Sequence, residues 1–167
     1  MSTTSTPTDE DLLLERQLCF ALSVAARSVV GAYRPVLEEL RLTHPQYLVM
    51  LALWEESPRT VRSLGQALAM ESATLSPMLK RLEALDLLTR TRAPGNERAL
   101  AVELTTAGRE LRTKALSVPQ TMMERLGLTR AEVETLNEAM HAIIRATGTD
   151  LPPSPRTGSA GSTGNTT

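Results

Sequence analysis

Residues 60–104, TVRSLGQALAMESATLSPMLKRLEALDLLTRTRAPGNERALAVEL, constrain the fold of this chain more than any other stretch. Val61, Leu64, Ala67 and Leu68 share one face at helical spacing. Thr60 stands where a hydroxyl can cap that helix. The turn-like Ala69-Met70-Glu71 leads to a second helical pattern, opened by Ser72 as a cap. Its apolar stripe is Leu75, Met78, Leu79, Leu82 and Leu85. After Asp86 the period changes from about 3.6 to 2. Leu88, Arg90 and Arg92 alternate in one strand and Leu100, Val102 and Leu104 in another, around the breaker Ala93-Pro94-Gly95-Asn96. Helix, turn, helix and hairpin predict a winged helix-turn-helix within a mainly α protein carrying a small β-wing.

The opposite face of the second helix suggests what such a unit reads. Ser72, Ala73 and Ser76, with Thr74 at the edge, are small enough to approach base edges and phosphates. Lys80 and Arg81, one turn later, suit the phosphate backbone. Arg90 and Arg92 extend the basic surface along the hairpin. Arg98, near the tip, is the residue expected to enter a minor groove. Taken singly, an amphipathic helix pair is ordinary core packing and an arginine-rich hairpin a solvated face. Only their order points to double-stranded DNA. The charge agrees: the chain has formal net charge −1, yet residues 59–104 hold seven basic side chains against five acidic ones. The positive charge is local.

Helical patterns flank this unit. One runs from Asp9 toward Arg34 with Leu14, Leu18, Leu22, Ala25 and Val29 on a face, until Pro35 ends or interrupts it. Val36, Leu37 and Leu40 form a short helix, and Thr43-His44-Pro45 opens another whose run Tyr47 to Trp54 is dense enough for burial. Thr105 caps a helix with Leu111, Ala115 and Leu116 inward, bent or broken by Pro119. Thr129 and Glu132 form a capping box for a last helix carrying Val133, Leu136, Met140, Ile143 and Ile144. Residues 1–8 and 149–167 are expected to be disordered. Residues 9–148 form one domain, with dimerisation helices at 9–40 and 105–148 around a reader at about 43–104. The apolar faces of the terminal helices exceed what a small winged domain can cover. An intertwined homodimer is the solution, reading an inverted-repeat operator. A monomer closing its own core is the alternative.

No apolar run approaches the roughly 20 residues needed to span a bilayer, and the acidic N-terminus is no secretory signal. A single cysteine cannot staple a fold and fits a reducing compartment, so a cytoplasmic protein without membrane contact is expected. His44 and His141 lack neighbours at metal-ligand spacing, and no phosphate loop or cofactor motif is present.

Cys19 sits in LLLERQLCFALSVAARSVVGAYRPVL. A lone helical cysteine usually behaves as a small buried hydrophobe. Here Arg16 and Arg27 lie within reach along the helix or across an interface. Tyr33, His44 and Tyr47 are donors able to support a thiolate, the form that attacks a peroxide.

With these residues in view, the chain resembles the MarR family of winged-helix regulators, and within it the OhrR branch of organic hydroperoxide-sensing repressors. The match rests on Gln17-Leu18-Cys19-Phe20, Leu42-Thr43-His44-Pro45-Gln46-Tyr47-Leu48, Leu53-Trp54-Glu55, residues 72–83 and Glu97-Arg98, and covers about residues 10–147. The resemblance implies a homodimeric repressor, not an enzyme, whose Cys19 is oxidised by an organic hydroperoxide to a sulfenic acid. That acid is then capped by a small cellular thiol as a mixed disulfide, or overoxidised. The operator is released and a peroxide-detoxifying gene is derepressed.

Two tyrosines hold the family's thiolate. One maps onto Tyr33 and the other onto His44, a departure for which Tyr47 is the nearby alternative. Glu71 stands where the branch often has Asp, and Asn96 where an Asp commonly braces the tip arginine, with Glu97 as substitute. With no second cysteine, only the one-cysteine mechanism is implied. Two other readings compete: a MarR-type regulator released by a small aromatic or phenolic ligand with Cys19 incidental, and a thiol peroxidase.

Overall fold

The computed structural model describes residues 8–93 and 95–149; at 93 and 96–99 it describes the backbone alone. Pro94, the tail from 150 onward, residues 1–7 and the side chain of Arg98 lie outside the described residues.

The first helix begins later than periodicity suggests. Residues Asp9–Leu12 and Leu14–Arg16 form two 3-10 turns, and α1 spans Leu18–Glu38. Leu13 and Gln17 are extended, and the Gln17 amide donates to the carbonyls of Asp11 (2.6 Å) and Leu13 (3.2 Å). A side chain thus takes carbonyls that a continuous helix would need. Pro35 does not end α1. The bond it forfeits would reach the carbonyl of Gly31 on an exposed turn, where water can satisfy it. The turn beyond is held by Leu37 and Leu40, both buried.

Helix α2 (His44–Glu55) is the central element. A capping box opens it: Thr43 N–H donates to the Gln46 side chain at 2.9 Å. Tyr47, Val49, Met50, Ala52 and Leu53 are buried, as the dense apolar run requires. Around it pack α3 (Val61–Leu68), α4 (Ser72–Ala84) and a three-stranded antiparallel sheet in the order β1-β3-β2. Strands β2 (Leu88–Ala93) and β3 (Asn96–Leu104) form the expected hairpin, with Leu88 opposite Leu104 and Arg90 opposite Val102. The third strand, β1 (Arg59–Thr60), is too short to show an alternation; it pairs with Val102 and Ala101 of β3.

Leu37, Met50, Leu53, Leu64, Leu75, Leu79, Leu82, Leu88 and Val102 make the core between these layers. Each fully buried leucine contributes roughly 1.5–3 kcal/mol of transfer free energy. The turn between α3 and α4 depends on two backbone features. Ala69 is left-handed at φ 50°, and Gly65 leaves room for the Met70 carbonyl, which a Cβ there would meet at 2.7 Å.

Helix α5 (Thr106–Ala115) is capped by Thr105, whose hydroxyl accepts from Gly108 N–H at 3.0 Å. Pro119 does not merely bend this helix. It lies in the first turn of a separate α6 (Val118–Leu126), which buries Val118 and Met122 and stops at left-handed Gly127. Helix α7 (Arg130–Ala146) opens with the expected Thr129–Glu132 box: Thr129 N–H donates to Glu132 at 2.8 Å.

Two apolar faces find no cover among the described residues. On α1, Leu18, Phe20, Val24, Val29 and Val30 are exposed; α7 buries no residue, and Leu136 is 48% exposed. Leu116, read as inward-facing, is 67% exposed because α5 ends before it, and Leu85, beyond the last turn of α4, is also exposed.

Candidate nucleic-acid interface and cysteine site

Helix α4 separates its two faces cleanly. Leu75, Leu79 and Leu82 are buried, while Ser72, Ala73, Thr74, Ser76, Lys80 and Arg81 are all exposed. Ser72 is the first helical residue rather than the cap; Glu71 holds the cap position without a side-chain bond. Pro77 lies inside the helix and leaves the Ala73 carbonyl without its usual donor, on the exposed face where solvent reaches it. Ser76 Oγ donates back to the Ser72 carbonyl at 2.8 Å.

The hairpin arginines differ from one another. Arg92 is exposed, and among the described residues it makes no ion pair. Arg90, two residues closer to the core on the same face of β2, is engaged by Glu83 of α4. Its Nε donates to Glu83 Oε2 at 2.9 Å, its Nη2 donates to the same oxygen, and its backbone N–H reaches Oε1 at 3.2 Å. The Arg90 side-chain bonds hold the Glu83 carboxyl below the usual carboxylate range. Arg98 belongs to β3 close to the hairpin turn. Sequence alone groups Arg90 with Arg92 among the DNA-binding residues, without a partner for either. The pairing spans seven residues between a helix and a strand, a spacing no local pattern reports.

The cysteine site is split. Cys19 is exposed in the first turn of α1. Tyr33 lies 14 residues further along the same helix, about 21 Å at 1.5 Å per residue. Tyr33, His44 and Tyr47 do come together: ring centroids are 5.4 Å apart for Tyr33 and His44, edge to face, and 6.1 Å for Tyr33 and Tyr47. Burial lowers the His44 pKa from its ordinary value and so favours the neutral ring. Burial, with Tyr33 adding to it, pushes the Tyr47 phenol up to about 12, and burial raises Tyr33 as well. Both phenols therefore keep the proton they can donate. Arg16, the cation nearest Cys19 in sequence, is held by Glu10 at 3.0 Å.

One connection escaped the sequence. The aromatic group continues from Tyr47 to Trp54, 6.4 Å away, and the Trp54 indole donates to the Gly108 carbonyl at 2.9 Å. Helix α2 thus carries His44 and Tyr47 at one end and grips the start of α5 at the other.

Comparison with known proteins gives this geometry its context. The family model for the transcriptional regulator SarA/Rot matches residues 32–114. The organic hydroperoxide resistance transcriptional regulator of Bacillus subtilis is 40% identical over 134 residues, covering 80% of this chain and 89% of the relative. The chain belongs to the MarR family. A structure of reduced AbfR bound to DNA superposes with a TM-score of 0.69 at 32% identity, covering 83% of this chain and 96% of that one. A disulfide form of AbfR is 30% identical with TM-score 0.60, covering 83% and 92%. A MarR variant from E. coli, 24% identical with TM-score 0.62 over 77% of this chain and 96% of that one, shares the fold. This MarR-family chain is a DNA-binding transcriptional regulator with a winged helix-turn-helix, and its relatives are regulators rather than enzymes. Among the described residues, no helix is long and apolar enough to cross a membrane.

Proposed function

We propose that this regulator is a homodimeric repressor that releases its operator when an organic hydroperoxide oxidises Cys19. The observation that carries the reading is the position of Cys19, exposed at the start of a helix whose apolar face is uncovered, in a chain 40% identical to an organic hydroperoxide resistance regulator. A second copy packing antiparallel along α1 and α7 covers Leu18, Phe20, Val24 and Leu136. It also sets Cys19 of one protomer beside Tyr33, His44 and Tyr47 of the other, which closes the 21 Å gap (about 14 residues of helix rise) that a single chain cannot.

The chemistry then balances without a cofactor. The Cys19 thiolate attacks the outer peroxide oxygen, the O–O bond breaks, and the hydroperoxide leaves as its alcohol while sulfur becomes a sulfenate. The neutral phenols of Tyr33 and Tyr47 and the neutral His44 ring donate hydrogen bonds to the anionic sulfur or oxygen. A small cellular thiol condenses with the sulfenic acid, expelling water and leaving a mixed disulfide. Bulk added between α1 and the Tyr33–His44–Tyr47 group pushes on α2, which holds α5 through Trp54, and turns the two readers out of register.

In the reduced dimer, Ser72, Ala73, Thr74 and Ser76 meet base edges in the major groove of an inverted-repeat operator. Lys80, Arg81 and Arg92 meet phosphates, and Arg98 enters the minor groove. The regulated product is a peroxide-detoxifying protein in the cytoplasm.

The test is a gel shift on DNA from upstream of the protein's own gene, with wild type and Cys19→Ser run beside each other with and without cumene hydroperoxide. Release of wild type alone is expected. Release of both, or of neither, removes Cys19 from the mechanism and favours a ligand-released regulator.

A further inference from the structure

The reader and its wing are joined through one carboxylate. Glu83, near the end of α4, accepts three bonds from Arg90, two from the guanidinium and one from the backbone N–H of β2. The Arg90 side chain is 23% exposed and that of Glu83 36%, so the pair is partly buried where it bridges α4 and β2. Arg92, on the same face of β2 and one step outward, is exposed without such a partner among the described residues. Among the described residues, two neighbouring arginines of one strand thus differ, one paired and one exposed.

The difference bears on selectivity. A cation that reaches the phosphate backbone releases counterions whatever the sequence, and so raises affinity for every duplex alike. A guanidinium bound to a carboxylate by charge-assisted bonds must break them before it can do this. The same bonds tie the backbone of β2 to α4, which fixes where the wing stands while the helix lies in a major groove.

We propose that Glu83 is a specificity-determining residue of the DNA-binding unit: it withholds Arg90 from the phosphates and uses it to lock the wing against the recognition helix. Affinity for arbitrary duplex is thereby lowered relative to the operator. The inference rests on DNA binding alone and is independent of the peroxide reading.

The experiment measures binding of the full-length reduced protein by fluorescence anisotropy to two duplexes of equal length. One is selected by the protein from random sequence and the other is its scrambled counterpart. Salt is varied over a fourfold range. In Glu83→Gln, which keeps the shape but not the charge, the freed Arg90 adds a phosphate contact. The slope of log K against log salt is expected to steepen by about 0.9 per protomer, an extra loss of about 3.5-fold across that range. The selected-to-scrambled ratio is expected to fall. Adding Arg90→Gln to Glu83→Gln should return the slope to the wild-type value, because the freed cation is gone while the lock remains broken.

Arg90→Gln alone covers the case in which Glu83→Gln fails to fold. Its slope should match wild type, whereas a phosphate-contacting Arg90 would flatten it by about 0.9 per protomer. An unchanged slope or ratio in Glu83→Gln, a double variant that stays steep, or a flattened Arg90→Gln would each overturn the proposal.

Discussion

Replacing Gly108 by alanine should destabilise the protein although the residue lies in a helix. In an open helix, the exchange gains up to about 1 kcal/mol through lower backbone entropy in the unfolded chain. At Gly108, an added Cβ would stand 2.0 Å from the Leu87 carbonyl oxygen, 3.0 Å from its carbon and 3.2 Å from a Leu104 methyl. Ordinary contact begins near 3.4 Å, so α5 and the Leu87 turn must part by more than an ångström. The two nearest atoms are backbone, and no rotamer change relieves their contact.

Overpacking of this kind costs about 1–3 kcal/mol. Parting also strains the Thr105 N–H bond to Leu87 O, now 3.2 Å, and the Trp54 indole bond to Gly108 O, now 2.9 Å. Each contributes about 1 kcal/mol. Setting the helix gain against these losses leaves a net destabilisation of about 2–4 kcal/mol. For a domain of this size, it lowers the melting temperature by about 6–12 °C. Circular-dichroism melting of Gly108→Ala against wild type at equal protein concentration measures it. A variant that melts at or above the wild-type temperature would refute the close approach of α5 to the Leu87 turn.

Two further outcomes follow from the same contacts. Trp54→Phe keeps an aromatic ring against Tyr47 but leaves the Gly108 carbonyl without its indole donor; about 1 kcal/mol should be lost in urea unfolding, with an unchanged m-value. His44 has a folded pKa below its unfolded value, so the unfolded chain binds more protons between the two. Its contribution to stability is present above the unfolded pKa of about 6.5 and declines as pH falls through the folded value. His44→Gln should flatten the stability profile in that window, and an unchanged profile would remove His44 as its source.

The reader was legible because its information is local. Thr60 and Thr105 as caps, the Thr129–Glu132 box and the change from helical to strand period each depend on a few consecutive residues. The exposed set on α4 followed in part for the same reason: once Leu75, Leu79 and Leu82 turn inward, Ala73, Lys80 and Arg81 face out, while Ser72 is exposed as the first residue of the helix. Where local rules failed, a distant partner had decided. Periodicity carried α1 back to Asp9, but the Gln17 amide claims the carbonyls of that segment. Pro35 and Pro119 read alike as breakers. One is carried through by the burial of Leu37 beyond it, and the other begins a new helix that buries Val118 and Met122.

Sequence by itself therefore determined the winged helix-turn-helix, the exposed polar set on α4 and the presence of one thiol in a helix. Those features are written in spacing, capping and residue type, which act over one or two turns. Only the tertiary structure decided that Arg90 belongs to Glu83 while Arg92 is exposed, that Trp54 holds α5, and that Tyr33 of α1 meets His44 and Tyr47 of α2. These depend on where separate elements come to rest, and that placement is set by the packing of the whole core rather than by any segment of it.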